Sequence, residues 1–366
     1  MIRPSHSAAK DAYSQTYREA RDKFFAAAQA AGLTVESEVH PLKGRDGETL
    51  ALDVVRDGPP DAQAVLLMTS ACHGVEGFCG SGVQVALLRD AAWRALVSDS
   101  GVAVVYVHAL NPHGFSWWRR VTNEGVDLNR NFQDFGQPLP TNAEYDALAD
   151  ALVPAQWPPL PDVQQVLLNH MQTHGPDATQ AVITRGQYGH PQGLFFGGHA
   201  PTWSNLAVRR LLRAHASHCR RLGWIDLHTG LGPSGHGERI FASSDDAAAL
   251  KRARAWWGDA VTSIYDGSST SALLTGLMWS ATEQECPQAE YTGIALEYGT
   301  VPMLEVIEAL RGDHWLAGHP EADAALAAAI KQRIRNAFYT DTDAWKQQVL
   351  EQAFEAAEQG LRGLSG

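Results

Sequence analysis

Four short fragments of this 366-residue chain carry side chains suited to hydrolytic metal chemistry: His73-Gly-Val-Glu76, Asp127-Leu-Asn-Arg130, Asp226-Leu-His228 and Leu-Glu297-Tyr. Two imidazoles and one carboxylate hold zinc with a coordination position left open for water, whose pKa the metal lowers from about 15.7 to about 7. His73 and Glu76, three residues apart in a glycine-containing loop, can turn toward a common point, and His228 is the best candidate for a third ligand arriving from far along the chain. A further carboxylate, Glu297, is available as a base. Around the second fragment, Arg119-Arg120 and Gly125-Val-Asp-Leu-Asn-Arg-Asn131 set guanidinium groups beside amides. That combination grips a carboxylate through charge-assisted, bidentate hydrogen bonds. Asp127 is placed to orient a metal-bound histidine through its outer nitrogen. One His-x-x-Glu means little in a chain with 15 histidines; the weight lies in the combination.

The elements that must position these groups read as an alternation of strands and helices. A stripe of Tyr13, Tyr17, Ala20, Phe24 and Ala28, closed by Gly32, predicts a helix over 13–31. Strands are expected at 35–39 and 49–55 around Gly44-Arg-Asp-Gly47, and apolar runs at 64–69 and 102–107 read as buried strands with a helix at 81–92 between them. Pro154, Pro158, Pro159 and Pro161 break any long element, and 186–198 reads as loop. Helices are expected at 205–221, 302–311, 322–335 and 343–361, with strands at 224–227 and 293–297. His73, His228 and Glu297 then all fall at carboxyl ends of strands, where open α/β sheets gather their functional residues. The expected fold is a single three-layer α/β domain, a mixed, mostly parallel sheet with helices on both faces. Residues 1–34 would form an N-terminal helix packed on a main domain spanning 35–366.

Bulk composition narrows the partners. With 29 Lys+Arg against 41 Asp+Glu, the formal charge of -12 repels a phosphate backbone, and no local basic patch overrides it. No stretch reaches the roughly 20 apolar residues that span a bilayer, and Met1–Lys23 holds no apolar run of signal-peptide length. A cytoplasmic protein without nucleic-acid or membrane partners is expected, and an oligomer stays open. Cys72, Cys79, Cys219 and Cys286 lie far apart without Cys-x-x-Cys pairing, so they read as reduced thiols. Cys72, next to His73, is expected to point away from it, as neighbours on an extended segment do.

Taken together, Tyr17-Arg-Glu-Ala-Arg-Asp-Lys-Phe, His73-Gly-Val-Glu-Gly-Phe, Asn111-Pro-His-Gly-Phe, Val126-Asp-Leu-Asn-Arg-Asn-Phe, Gly193-Leu-Phe-Phe-Gly-Gly, Asp226-Leu-His-Thr-Gly-Leu-Gly and Leu296-Glu-Tyr-Gly-Thr resemble the M14 type of zinc carboxypeptidase, specifically its bacterial DUF2817 subgroup. The resemblance implies one zinc per chain on His73, Glu76 and His228, a substrate carboxylate on Asn129 and Arg130, and Arg120 at the oxyanion with Arg119 as its competitor. It also implies Glu297 as general base and Asp127 as partner of the first zinc histidine. The substrate would be a peptide with a free terminal carboxylate or, in the second reading, an N-acyl amino acid or small amide. A mobile tyrosine belongs to the same picture, with Tyr265 and Tyr291 both open as its match. His108, His113, His190, His199, His236 and His314 read as structural, with His236 the first exception to consider as part of a second metal site. Trp117 and Trp118, just ahead of Arg120, are placed near the cleft.

Overall fold

The computed structural model describes residues 11–366, so the first ten residues of the expected N-terminal unit lie outside it. Seven strands, β1 (Val35–Lys43), β2 (Thr49–Asp57), β3 (Ala64–Thr69), β4 (Ala103–His108), β5 (Arg221–Ser234), β6 (Gly237–Phe241) and β7 (Glu290–Gly299), form one sheet in the order β1-β2-β4-β3-β5-β7-β6. The central block β4-β3-β5-β7 pairs in parallel. Antiparallel pairs close both margins, with β1 on β2, β2 on β4, and β6 on β7. The expected mixed sheet is present.

Helices of nine residues or more are α1 (Tyr17–Ala30), α2 (Gly77–Arg89), α3 (Ala91–Ser100), α4 (Pro161–His174), α5 (Pro176–Thr184), α6 (Trp203–His215), α7 (Ala247–Trp257), α8 (Met303–Ala317), α9 (Ala324–Phe338) and α10 (Asp343–Ser365). Alternate residues of the central strands feed opposite faces, as the two-residue strand period requires. Leu66 and Met68 of β3 pack with Phe24 of α1, Val83 of α2, Trp257 of α7 and Leu361 of α10. Val65 and Leu67 face the other way, onto Val208, Leu211 and Leu212 of α6. Burying both faces explains why these strands read as unbroken apolar runs.

Two local departures have identifiable causes. The helix expected at 81–92 instead starts at Gly77 and stops at Arg89, because Asp90 accepts a hydrogen bond from the Trp93 N–H and caps a new helix, α3. The proline-rich stretch does not exclude a helix: Pro161 opens α4 at its first turn, where a missing N–H leaves no bond unmade. Strand β6 and helix α7 have no counterpart in the sequence reading. The 186–198 stretch is loop, with only an isolated bridge between Gln187 and Phe196. Among the described residues, no helix is long and apolar enough to cross a membrane.

Candidate metal centre

The chain leaves the carboxyl end of β3 through Ala71, whose φ of +57° breaks the extended run, and reaches His73 at the start of a single 3-10 turn, Gly74–Glu76. That turn is strapped to the arginine loop by Gly74 N–H to the Arg120 carbonyl (3.0 Å) and Val75 N–H to the Arg119 carbonyl (2.9 Å). Gly74 has no room for a side chain: a Cβ there would lie 2.1 Å from the Gly114 carbonyl carbon. His228 sits on β5, two residues beyond Asp226 and therefore on the same sheet face, directly opposite Glu297 of β7.

The three sequence-expected ligands meet. His73 Nδ1 lies 2.9 Å from Glu76 Oε1, and His228 Nδ1 lies 3.0 Å from Glu76 Oε2, with the ring centroids 5.0 Å apart. All three are buried, at 3 %, 1 % and 3 % exposure for His73, Glu76 and His228. The outer nitrogens are held by carboxylates: His73 Nε2 faces Asp127 Oδ1 at 3.2 Å and His228 Nε2 faces Asp226 Oδ2 at 2.6 Å. Asp127 also accepts from the Asn129 N–H (3.0 Å) and from Arg120 Nε (2.9 Å), while Asp226 accepts from the Thr69 hydroxyl.

Charge balance explains the proton affinities. Burial alone would raise Glu76 and Asp127, yet both carboxyls are held below the usual range, Glu76 by His73 and His228 and Asp127 by Arg120 and His73. Burial would lower His228, but Asp226 and Glu76 together push it well up. Among the described residues, no cation is bonded to Glu297. Burial and the neighbouring Glu76 charge push it up to about 8, against a hydrogen bond from the Leu231 N–H at 3.0 Å.

The donor set fits a divalent metal. Ligand atoms of His73, Glu76 and His228 all lie within 4.8 Å of one another. Zinc bonds of about 2.0 to 2.2 Å in tetrahedral array need donors about 3.5 Å apart. His73 Nδ1 is buried without a hydrogen-bond partner, its approach to Glu76 lacking hydrogen-bond alignment. A proton on Nε2, directed at Asp127, leaves Nδ1 with a bare lone pair facing inward. Arg120 also places a terminal nitrogen 2.8 Å from Nε2, but that nitrogen cannot both donate to Asp127 and accept from Arg120. Arg120 is satisfied without it, through Asp127 and through Glu76 Oε1 at 3.1 Å.

The family described as "Protein of unknown function (DUF2817)" matches residues 13–352. The chain belongs to the DUF2817 family. No curated protein matches it. Among solved structures, the chain is similar to thrombin activatable fibrinolysis inhibitor (15 % identity over 92 % of this chain and 80 % of that one, TM-score 0.46). It is also similar to a metallo-carboxypeptidase from Burkholderia cenocepacia (14 % identity, 87 % and 67 % covered, TM-score 0.40). A third is a glutaminyl cyclase from Porphyromonas gingivalis (10 % identity, 93 % and 99 % covered, TM-score 0.37).

In this DUF2817 chain the ligand cluster stands at one end of a cleft enclosing about 1050 Å³, open mouth included. Arg120, Asn129, Arg130 and Glu297 all line it. Arg130 is 2 % exposed, and its guanidinium donates to the Thr184 carbonyl twice (3.0 and 2.6 Å) and to the Asn129 carbonyl (2.8 Å). Two of its five N–H groups are left over. Asn129 commits its carbonyl oxygen to the Met278 N–H at 2.8 Å, leaving its amide NH₂ for a ligand.

Other sequence candidates stand elsewhere. Arg119 does not line the cleft: its Nε pairs with buried Asp313 at 3.0 Å, which Lys331 also holds. Tyr265 donates to the Ser243 carbonyl, away from the cleft, whereas Tyr291 lines it. His236 is exposed on the turn between β5 and β6, and none of the six histidines read as structural enters a metal-type cluster among the described residues. Trp117 and Trp118 do not line the cleft either; Trp117 is 38 % exposed and Trp118 stacks under Arg45 and Arg335. The Cys72 thiol lies within 4.8 Å of Asp226 and His228, in a group that does not include His73. Burial and the charges of Asp226, Asp127 and Glu76 push that thiol well up, so it stays protonated and unreactive. Asp226 was overlooked as a working residue, although Asp-x-His on a strand puts both side chains on one face.

Proposed function

We propose that this chain is a zinc-dependent hydrolase of amide bonds, acting on a peptide with a free terminal carboxylate. One observation carries the reading: two imidazole nitrogens and a carboxylate converge, buried, with each imidazole backed by an aspartate and with a second carboxylate, Glu297, on the next strand. A zinc ion held by His73, Glu76 and His228 would supply an acidified water and polarise the scissile carbonyl.

The chain's own groups then do the rest. Glu297, directly opposite His228 on the next strand, takes a proton from the attacking water as a carboxylate and returns it to the leaving amine. The Leu231 N–H fixes its orientation. Arg120 supplies positive charge to the developing oxyanion. The Asn129 amide and the two free N–H groups of Arg130 take the terminal carboxylate. One apolar wall of the cleft, Met303, Val306, Ile307 and Leu310 of α8, also favours a second reading in which an N-acyl amino acid is the substrate and this wall receives the acyl chain.

Metal analysis of the purified protein, followed by hydrolysis of C-terminal dipeptides against N-acyl amino acids, tests both. We expect one zinc per chain and cleavage that stops when the metal is chelated. Arg120→Ala should slow turnover by about two to three orders of magnitude. Because Arg120 also touches Glu76 and Asp127, zinc content must be measured alongside. Full turnover by zinc-loaded Glu297→Gln protein would sink the proposal.

A further inference from the structure

Register across β5, β7 and β6 lays out the cleft floor as rows on one sheet face. His228, Glu297 and Glu238 form the first row, and Asp226, Ala295 and Ile240 the second. Trp224 and Gly293 head the third, and Leu222 and Tyr291 the fourth. The centre of this face, down β7, is therefore Glu297, then alanine, then glycine, then tyrosine. Small residues at alternate positions cut a trench running from the base toward the far end of the strand.

Tyr291 closes that trench. Its side chain folds back over Gly293, so that a Cβ on the glycine would lie 2.1 Å from the Tyr291 hydroxyl. At about 3.3 Å per residue this sets the hydroxyl roughly 13 Å along the strand from Glu297. The hydroxyl is sealed from solvent and has no hydrogen-bond partner among the described residues. Burial, with Asp226 and Glu283, pushes the phenol well up, so it remains a neutral donor and acceptor. The remaining walls near it are uncharged: Ile240, Ile264, Leu274, Leu277 and Met278. Asp226 and Glu283 are the acids alongside, and both oxygens of Asp226 are already committed to His228 and Thr69. A buried hydroxyl left unbonded costs free energy, and a ligand atom that bonds it recovers the loss.

We propose that Tyr291 is a specificity-determining residue, and that the trench selects a large uncharged side chain ending in a hydrogen-bonding group, a phenol being the closest fit. Ala295 keeps the floor low, Gly293 makes room for the Tyr291 ring, and the Tyr291 hydroxyl reads the tip. This rests on the hydrolase reading above but separates from it experimentally.

The test compares blocked peptides ending in Tyr, Phe, Leu, Lys and Glu on zinc-loaded wild-type protein and on Tyr291→Phe. Wild type should favour Tyr over Phe by about tenfold in kcat/KM, the worth of one net hydrogen bond, and should disfavour Lys and Glu by more. Tyr291→Phe should bring the Tyr/Phe ratio to within about twofold of unity while leaving Leu unchanged. Binding of the same amino acids in N-acetyl form to Glu297→Gln protein, by calorimetry, gives the ranking independently of turnover. Cleavage with a flat profile, a preference for Lys or Glu, or a Tyr/Phe ratio unmoved in Tyr291→Phe overturns the proposal and leaves the hydrolase reading standing. Ranked binding without any hydrolysis supports the trench and removes the hydrolase; neither binding nor hydrolysis removes both.

Discussion

Each imidazole of the cluster is pinned through its outer nitrogen, His73 by Asp127 and His228 by Asp226, and this fixes which nitrogen faces the metal position. Outer partners of this kind are worth about 10- to 100-fold in metal affinity. Asp226→Ala should therefore weaken zinc by that factor while leaving the secondary structure unchanged, measured by competition with a chromophoric chelator and by circular dichroism. Wild-type zinc affinity in that variant would mean that His228 needs no partner. At this scale the sequence was most legible: His73, Glu76, His228, Glu297 and Asp127, the candidate ligands, base and partner, converge where a strand-end reading puts them. Arg119 was not, because its ion pair with Asp313 joins residues 194 apart in the chain, a contact that no local spacing announces.

The elements work by holding two loops at fixed distance. The His73 turn and the arginine loop share backbone hydrogen bonds, and Gly74 lets the two main chains touch. Gly74→Ala forces a methyl into the Gly114 and Phe115 backbone, which cannot yield as a flexible side chain would. We expect a loss on the order of 3 kcal/mol in denaturant unfolding, the upper part of the overpacking range, with reduced zinc affinity as His73 is displaced. A second strap lies across the cleft. Glu238, 7 % exposed, accepts from the Thr262 hydroxyl (2.5 Å), the Thr270 N–H (3.1 Å) and the Thr270 hydroxyl, and so ties down the loop bearing Ile264, Leu274 and Leu277. Glu238→Ala should raise KM for substrates with large side chains by about tenfold, the worth of a hydrogen bond or two, with kcat much less affected; an unchanged KM would show that the loop holds itself. The strap was hidden because Gly237-Glu-Arg-Ile-Phe241 is short and charged and carries no strand pattern of its own, becoming a strand by pairing with β7. Strands β3 and β4, buried on both faces, were readable from their apolar runs alone.

For the whole molecule the consequential charges are those buried far from the cleft. His108 is fully buried between Phe24, stacked at 4.8 Å, and the Ser81 hydroxyl at 3.0 Å from its Nε2; Asp53 and Arg21 are the charged groups nearest it. Burial pushes it down to about 4, and His314, beside Arg119 and Asp313, goes down to about 4 for the same reason. A histidine whose folded pKa is depressed binds more protons unfolded, so its contribution to stability is complete above its unfolded value of about 6.5 and falls away as pH drops toward 4. Each contributes at most on the order of 3 kcal/mol over that window. Asp313, held down to about 2 by Lys331 and Arg119 against its burial, acts in a separate window, its stabilisation fading as pH falls from about 4 toward 2. Acid unfolding should thus begin well above the carboxylate range. If the proposed zinc is bound, its release would also destabilise the protein in that range, since zinc ligands must be deprotonated, so the informative quantity is a difference between variants of equal metal content. His108→Gln, which keeps a neutral polar group and cannot take up a proton, should show a shallower fall in unfolding free energy between pH 6.5 and 4 than wild type in urea titrations. Equal slopes would assign the acid sensitivity to the metal centre instead.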